Sequence, residues 1–255
     1  MTRNRLGRRQ LLKAAAGAAG IMASSGCDDF SRSEWVRQML GHTEAWTERV
    51  QRALTPANAL AKEYEERDIS AVFPPNGNTH PGTSDYVAKA EHDFVDWQIG
   101  VTGLIAKPAT WSLAELRDMP SRTQITRHDC VEGWSAIGKW TGVPLGDLMH
   151  RVEPLPEARY VVFYCADIDG EGIPYYESVA MEDAYHPQTM LAYELNGRPL
   201  DIPHGAPIRL RIERQLGYKH AKYVMGLELV ASLSSIGGGK GGYWEDQGYE
   251  WYAGI

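Results

Sequence analysis

One cysteine, Cys130, stands in the middle of RHDCVEGWSAIGKWTGVPLGDL, Arg127 to Leu148, among glycines, tryptophans and charged residues. A lone buried cysteine commonly serves as a small hydrophobe. Its neighbours argue for another use, because Glu132, Gly133, Trp134, Ser135, Gly138 and Lys139 are too polar and too glycine-rich for core filler. Glycines let a backbone come close to a planar ligand and tryptophans can wall it, so the segment suits a cofactor pocket. Cys27 and Cys165 are the other cysteines, and the chain has neither CxxC nor CxxCH. That argues against a structural zinc site and a covalently attached haem. Cys130 and Cys165 remain able to form one disulfide or to act separately. The histidines fall in no HExxH pattern, which removes the support for zinc-dependent hydrolysis.

Several elements must position this cysteine. TQITRHDCV reads as a strand, with His128 and Cys130 on one face and Arg127 and Asp129 on the other, so the thiol faces either the core or a pocket. A loop and a short helix near PLGDLMHRV are expected to follow. Upstream, WQIGVTGLI reads as a strand, and SLAELRDM as a helix capped by Ser112 with Glu115 completing a capping box. Downstream, ARYVVFYCAD reads as a buried strand, Asn196-Gly197 as a hairpin turn, and APIRLRIE and AKYVMGLELV as further strands. FPPNGNTHPGT, Phe73 to Thr83, is punctuated by Pro and Gly and forms a long loop, and such loops often line sites. The balance is α+β with mixed β-sheets and short helices, in one domain over 71–236. Residues 28–70 carry the helical pattern EWVRQMLGHTEAWTERVQRAL and read as an arm, and residues 237–255 form a Gly/aromatic strap. The strap either packs over the domain or offers its Trp and Tyr residues to a partner.

Residues 1–27 have a different character. Arg3, Arg5, Arg8, Arg9 and Lys13 precede AAAGAAGIMA and then SSGC, an export signal too short in its apolar run for a membrane span. GRRQLLK is similar to a twin-arginine signal, the route for proteins exported already folded to the periplasm, and hints at a cofactor acquired beforehand. Cys27 in SSGC is a candidate lipid-anchor site. Loss of the leader's five positive charges takes the net charge from −7 to about −12, which argues against binding nucleic acid.

RHDCVEGWSAIGKWTGVPLGDL resembles the molybdenum-ligating segment of the sulfite oxidase superfamily, particularly its bacterial periplasmic branch, which includes protein-methionine-sulfoxide reductase catalytic subunits. FYCAD, YYESVAMEDAYHPQTMLAYELNGRPL, HGAPIRLRI and GYKHAKYV extend the resemblance over Phe73 to Val230. The resemblance implies a sulfite-oxidase-like molybdopterin-binding fold and a molybdenum-molybdopterin cofactor. Cys130 would be the metal ligand and catalytic centre, a soft thiolate suited to a metal that cycles by two electrons. The pterin phosphate calls for cations and backbone donors. Carried over residue by residue, HGAPIRL gives His204 and Arg209 as pterin contacts. GYKHAKYV gives His220, Ala221 and Lys222 as the phosphate-binding run, and FYCAD gives Asp167. The loop gives Phe73 and Asn76, with Asn78 beside them.

Sulfite oxidases hold their anion with two arginines at places where this chain has Pro75 and Ser135, which makes sulfite doubtful. Arg127 and Lys139 are the candidate substitutes. The expectation is a periplasmic oxidoreductase that moves an oxygen atom to or from a small substrate in a two-electron reaction, with a sulfoxide reductase favoured. Electrons are expected from a separate redox protein, a cytochrome or membrane haem protein. No immunoglobulin-like dimerisation segment follows the last core strand, so a monomer is expected. The rival readings are a sulfite dehydrogenase with a rearranged anion pocket and a metal-free periplasmic binding protein on the same fold.

Overall fold

The computed structural model describes residues 46–255. The expected leader, the lipid-anchor residue Cys27 and residues 28–45 of the arm lie outside the described residues. The chain divides into two compact units, Met1–Val50 and Gln51–Ile255. In the first, residues 46–50 are helical.

The second unit holds ten strands. They are β1 (Gln98–Gly103), β2 (Ala109–Ser112), β3 (Arg122–Asp129), β4 (Ser135–Pro144), β5 (Tyr160–Ile168), β6 (Pro174–Ala180), β7 (Met190–Leu195), β8 (Arg198–Pro199), β9 (Arg209–Arg211) and β10 (Val224–Val230). Short helices accompany them: α1 (Ser84–Glu91) before β1, α2 (Leu113–Asp118), α3 (Leu145–Val152) and α4 (Met181–Ala184) between strands, and α5 (Tyr243–Asp246) after β10. One sheet runs β2-β1-β10-β5-β6, and its β1–β10 pair is parallel while the rest is antiparallel. The other runs β3-β4-β7-β8, with β9 also on β7. The architecture is the expected α+β arrangement of mixed sheets and short helices.

Local chemistry explains these elements. Ser112 Oγ accepts the Glu115 N–H at 3.2 Å while the Glu115 carboxylate accepts the Ser112 N–H at 2.7 Å, so two orphan donors at the start of α2 are satisfied. Leu145, Leu148, Met149 and Val152 recur at helical spacing and bury one face of α3. Asn196 and Gly197 turn β7 into β8 with φ of +53° and +75°, the backbone a tight hairpin needs. Ile99 and Val101 of β1, Val161 and Phe163 of β5, and Leu227 and Leu229 of β10 share the main core with α3. A smaller cluster of Phe73, Ala136, Trp140, Met190 and Ala192 lies on the second sheet.

One segment departs from its sequence reading. Residues 135–144, expected to be a loop, form the long strand β4, paired with β3 from Ser135 to Gly142 and with β7 from Trp140 to Pro144. Its alternate positions face inward, and two of them are glycine. A β-carbon at Gly142 would lie 2.2 Å from the Leu191 carbonyl oxygen, and one at Gly138 would lie 2.9 Å from the Leu195 side chain. Close approach therefore requires glycine where a strand pattern would show a large apolar residue.

Candidate active site

β3 and β4 form a hairpin whose turn carries Cys130. Trp134 O accepts the Cys130 N–H at 2.9 Å, Cys130 O accepts the Gly133 N–H at 3.1 Å, and Gly133 sits at φ +90°. The turn brings Cys130 to the wall of a cavity of about 270 Å³, which it shares with Asn76, Asn78, Asp167, His220 and Lys222. The β9–β10 connection presses closely here, since a β-carbon at Gly217 would lie 2.5 Å from His128 Nε2 and 3.2 Å from Asp129 O. Burial raises the Cys130 thiol above its ordinary pKa, against the opposing pull of the Glu132 backbone N–H, while Glu132's negative charge adds to the rise.

Behind the cavity lies buried positive charge. Arg209 is fully buried and donates to the carbonyls of His204 at 3.0 Å and His220 at 3.4 Å, with its guanidinium 5.2 Å from the centre of the Trp140 ring. It forms no ion pair among the described residues, and its Nε has no hydrogen-bond partner there. Burial, then the neighbouring Arg211, lower its pKa to about 9. Arg211 pairs with Glu213 at 2.6 Å and donates to His128 Nδ1 at 2.9 Å. Burial, then the charge of Arg211, hold His128 neutral, well below its ordinary value. Lys222 donates to the carbonyls of Asn76 at 2.6 Å, Pro203 at 2.9 Å and Asn78, and burial followed by Arg209 lowers its pKa to about 7. Burial raises Asp167 to about 6, and its Oδ1 and Asn76 Oδ1 have no hydrogen-bond partner among the described residues.

The cavity brings together Asn76, Asn78, Cys130, Asp167, His220 and Lys222. Phe73 is buried one layer back, its ring packed against His128, Trp134, Trp140 and His204, and its carbonyl meets His204 Nε2 at 2.8 Å. His204 and Arg209 belong to that layer. Ala221 does not line the cavity; its side chain sits in the main core and its carbonyl accepts the Leu210 N–H at 2.8 Å. Cys130 and Cys165 are both free thiols. Arg127 pairs with Asp129 at 2.9 Å and Lys139 with Glu66 at 2.7 Å, and neither lines the cavity.

The opposite wall was not anticipated in detail. Tyr175, Tyr218, Tyr243, Trp244 and Tyr249 line it, the last three from the C-terminal segment. A buried charge cluster holds that segment in place: Lys219 Nζ donates to both Glu177 of β6 and Glu245 of α5, all three being almost wholly inaccessible. Burial, then Glu245, raise Glu177 well above the carboxylate range. Burial pulls Lys219 down, and the two carboxylates more than offset it. These partners are 42 and 26 residues from Lys219, so no sequence spacing could have signalled the cluster.

Comparison with known proteins bears on the same region. The family model described as "Oxidoreductase molybdopterin binding domain" matches residues 86–235. A protein of Azospira oryzae named "Putative protein-methionine-sulfoxide reductase subunit YedZ1" is 38% identical over 247 residues, covering 97% of this chain and 87% of that protein. "Protein-methionine-sulfoxide reductase catalytic subunit MsrP" of Ralstonia nicotianae is 37% identical over 144 residues, 52% of this chain and 44% of that protein. The chain thus spans less than half the length of the MsrP relative and most of the Azospira one. Among solved structures, the sulfane dehydrogenase SoxCD of Paracoccus pantotrophus aligns with TM-score 0.49 and 24% identity over 55% of this chain and 40% of that chain. The matched stretch contains Cys130, Asp167, His204, Arg209, His220 and Lys222, and on it the assignment rests: this chain belongs to the oxidoreductase family with a molybdopterin-binding domain.

Proposed function

We propose that this molybdopterin oxidoreductase reduces sulfoxides, with Cys130 as the thiolate ligand of molybdenum. The observation that carries the reading is one cavity that joins a thiol to buried positive charge held in no ion pair among the described residues: Cys130 on one wall, Lys222 on another, and Arg209 behind. A buried guanidinium with no carboxylate partner and an unused Nε fits an anionic ligand, as a pterin phosphate is. Asn76 Oδ1 and Asp167 Oδ1 offer unused acceptors to a pterin's N–H groups. When bound, the cofactor supplies two-electron chemistry coupled to movement of one oxygen atom.

The chain's own residues do the rest. Ligation to the metal would keep Cys130 deprotonated, which its buried position otherwise opposes. Arg209, His204, His220 and Lys222 would hold the cofactor's polar parts, with Asn76 and Asn78 in the wall beside it and Phe73 one layer behind. The reaction consumes two electrons and two protons, turning a sulfoxide into a thioether and water. Asp167, titrating near pH 6 in the cavity wall, is placed to carry a proton. The sulfoxide direction is favoured over sulfite oxidation because Arg127 and Lys139 are committed to ion pairs away from the cavity, while Glu132, Asp167 and Asp169 line it. With Lys222 and Arg209 taken up by the cofactor's polar parts, a small dianion would meet those carboxylates without a further fixed cation to offset them.

Export of the folded protein to the periplasm follows from the GRRQLLK signal, and electrons would come singly from a separate cytochrome or membrane haem protein. The test is protein exported from a molybdenum-replete bacterium, assayed for metal and pterin and then for sulfoxide-dependent oxidation of a reduced dye. Wild type should carry one molybdenum and one pterin per chain and turn over sulfoxide, whereas Cys130→Ser should fold normally and lose turnover. Wild-type protein free of metal and pterin, or sulfite-dependent reduction of an acceptor in place of sulfoxide reduction, would reject the reading.

A further inference from the structure

His128 stands two residues before Cys130 and is 1% exposed, its ring packed among Phe73, Trp134 and His220. A guanidinium can only donate, and Arg211 meets Nδ1 of this ring at 2.9 Å, so Nδ1 is the acceptor and the proton of the neutral ring sits on Nε2. The tautomer is fixed from behind. Glu213 holds Arg211 with both carboxylate oxygens, at 2.9 and 2.6 Å, and also accepts Gln124 Nε2 at 2.9 Å. All four side chains are buried, so one ordered line runs from Gln124 through Glu213 and Arg211 to the imidazole.

The front end of that line is unspent: His128 Nε2 has no hydrogen-bond partner among the described residues. His204 and His220 differ. The first gives its ring nitrogens to Asp201 and to the Phe73 carbonyl, the second to the Ile212 N–H and the Gln215 carbonyl. A buried N–H without an acceptor costs free energy, and a line of four side chains that aims one points to a ligand. Access is left open at Gly217, which lines the Cys130 cavity: a β-carbon there would lie 2.5 Å from Nε2 and 2.8 Å from Cε1 of the same ring. A side chain at 217 would take the space through which an acceptor must approach.

We propose that His128 donates its Nε2 hydrogen to an electron-rich acceptor atom of the bound cofactor beside Cys130 and thereby sets the reduction potential of the site. The inference rests on the molybdopterin reading for the acceptor, and on the Glu213, Arg211 and His128 line for the donor. Reduction makes the cofactor's acceptor atoms more basic, so the hydrogen bond strengthens in the reduced form and draws the potential upward.

The test compares loaded wild type, His128→Phe and His128→Gln by redox titration of the one-electron metal signal in electron paramagnetic resonance, at matched pterin content. Phenylalanine keeps the ring and removes the donor; the glutamine amide reaches the place of Nε2 and keeps it. His128→Phe should shift the reduction equilibrium about tenfold against the reduced form, a potential lower by about 59 mV, and His128→Gln should recover most of it. An unshifted His128→Phe would overturn the proposal, and so would a His128→Gln shifted as far as His128→Phe, which would make the ring a packing element. Wild type with nitrogen-15-labelled histidine decides the matter if His128→Phe fails to load: the His128 proton should be on Nε2 without cofactor, and the Nε2–H resonance should move downfield on loading. A proton on Nδ1, or a resonance that loading leaves in place, would overturn it. Protein that loads and shows these shifts but reduces no sulfoxide would remove the sulfoxide reading alone, whereas normal turnover with unshifted potentials would remove this inference alone.

Discussion

Replacing Lys219 by Met should destabilise the second unit severely. Lys219 Nζ is the shared donor to Glu177 and Glu245, and all three side chains are at most 1% exposed. One ammonium faces two carboxyls, so the cluster approaches neutrality by retaining one proton, and Glu177 is the group pushed upward by burial and by Glu245. Removing the cation leaves an uncompensated buried charge, which costs about 3–5 kcal/mol when one partner of such a cluster is deleted. For a unit of this size that corresponds to a melting temperature lower by roughly 10 °C. The pH dependence is the sharper readout. Because the folded chain holds a proton that the unfolded one releases above the ordinary carboxylate range, wild-type stability from this cluster falls as pH rises, by about 1.4 kcal/mol per unit until the folded pKa is passed. Lys219→Met removes the cation that opposes the rise of Glu177, so the decline should extend to higher pH. Thermal unfolding followed by circular dichroism between pH 5 and pH 8 measures both. Adding Glu245→Gln to Lys219→Met should recover part of the loss. A single variant within about 1 kcal/mol of wild type, with an unchanged pH dependence, would refute the reasoning that this charge is sequestered.

Two further outcomes follow. Arg209→Met should leave the unfolding midpoint of cofactor-free protein nearly unchanged or raise it, because the guanidinium is buried without an acid, yet pterin retained after purification should fall at least about tenfold. Burial, then the Arg211 charge, depress His220 far below its ordinary value, so the folded ring stays neutral while the unfolded one takes a proton; stability should fall as pH drops below about 6.5, and urea unfolding at pH 7 and pH 5 should show a smaller loss in His220→Gln.

Much of this could be read from the residues, and the misses have physical causes. The capping box at Ser112 and the Asn196-Gly197 turn are local devices, decided by side chains within three residues, and both formed as expected. β4 was hidden because its inward positions at Gly138 and Gly142 carry no side chain, so alternation could not register. α1 was missed because SDYVAKAE buries only Tyr86 and gives little periodic signal. Of the residues suggested by resemblance, Asn76, Asn78, Cys130, Asp167, His220 and Lys222 line one cavity, His204 and Arg209 stand one layer behind it, and Ala221 turns its side chain into the main core. Arg127 and Lys139 illustrate the opposite case: strand alternation placed Arg127 away from the thiol, but only the fold revealed that both cations are taken by nearby acids. The Lys219 cluster joins three distant segments and has no local signature.

The position of β10 sets a condition on how the chain comes to order during synthesis. It pairs with β1 on one side and β5 on the other, at the middle of its sheet, although it follows the other nine described strands in chain order. Until it arrives, β1 and β5 each show an unpaired edge, and nothing made earlier can fill the gap. Nascent chains should therefore need shielding until β10 is made, and a stop codon between Ile168 and Val224 should yield insoluble product instead of a smaller folded piece.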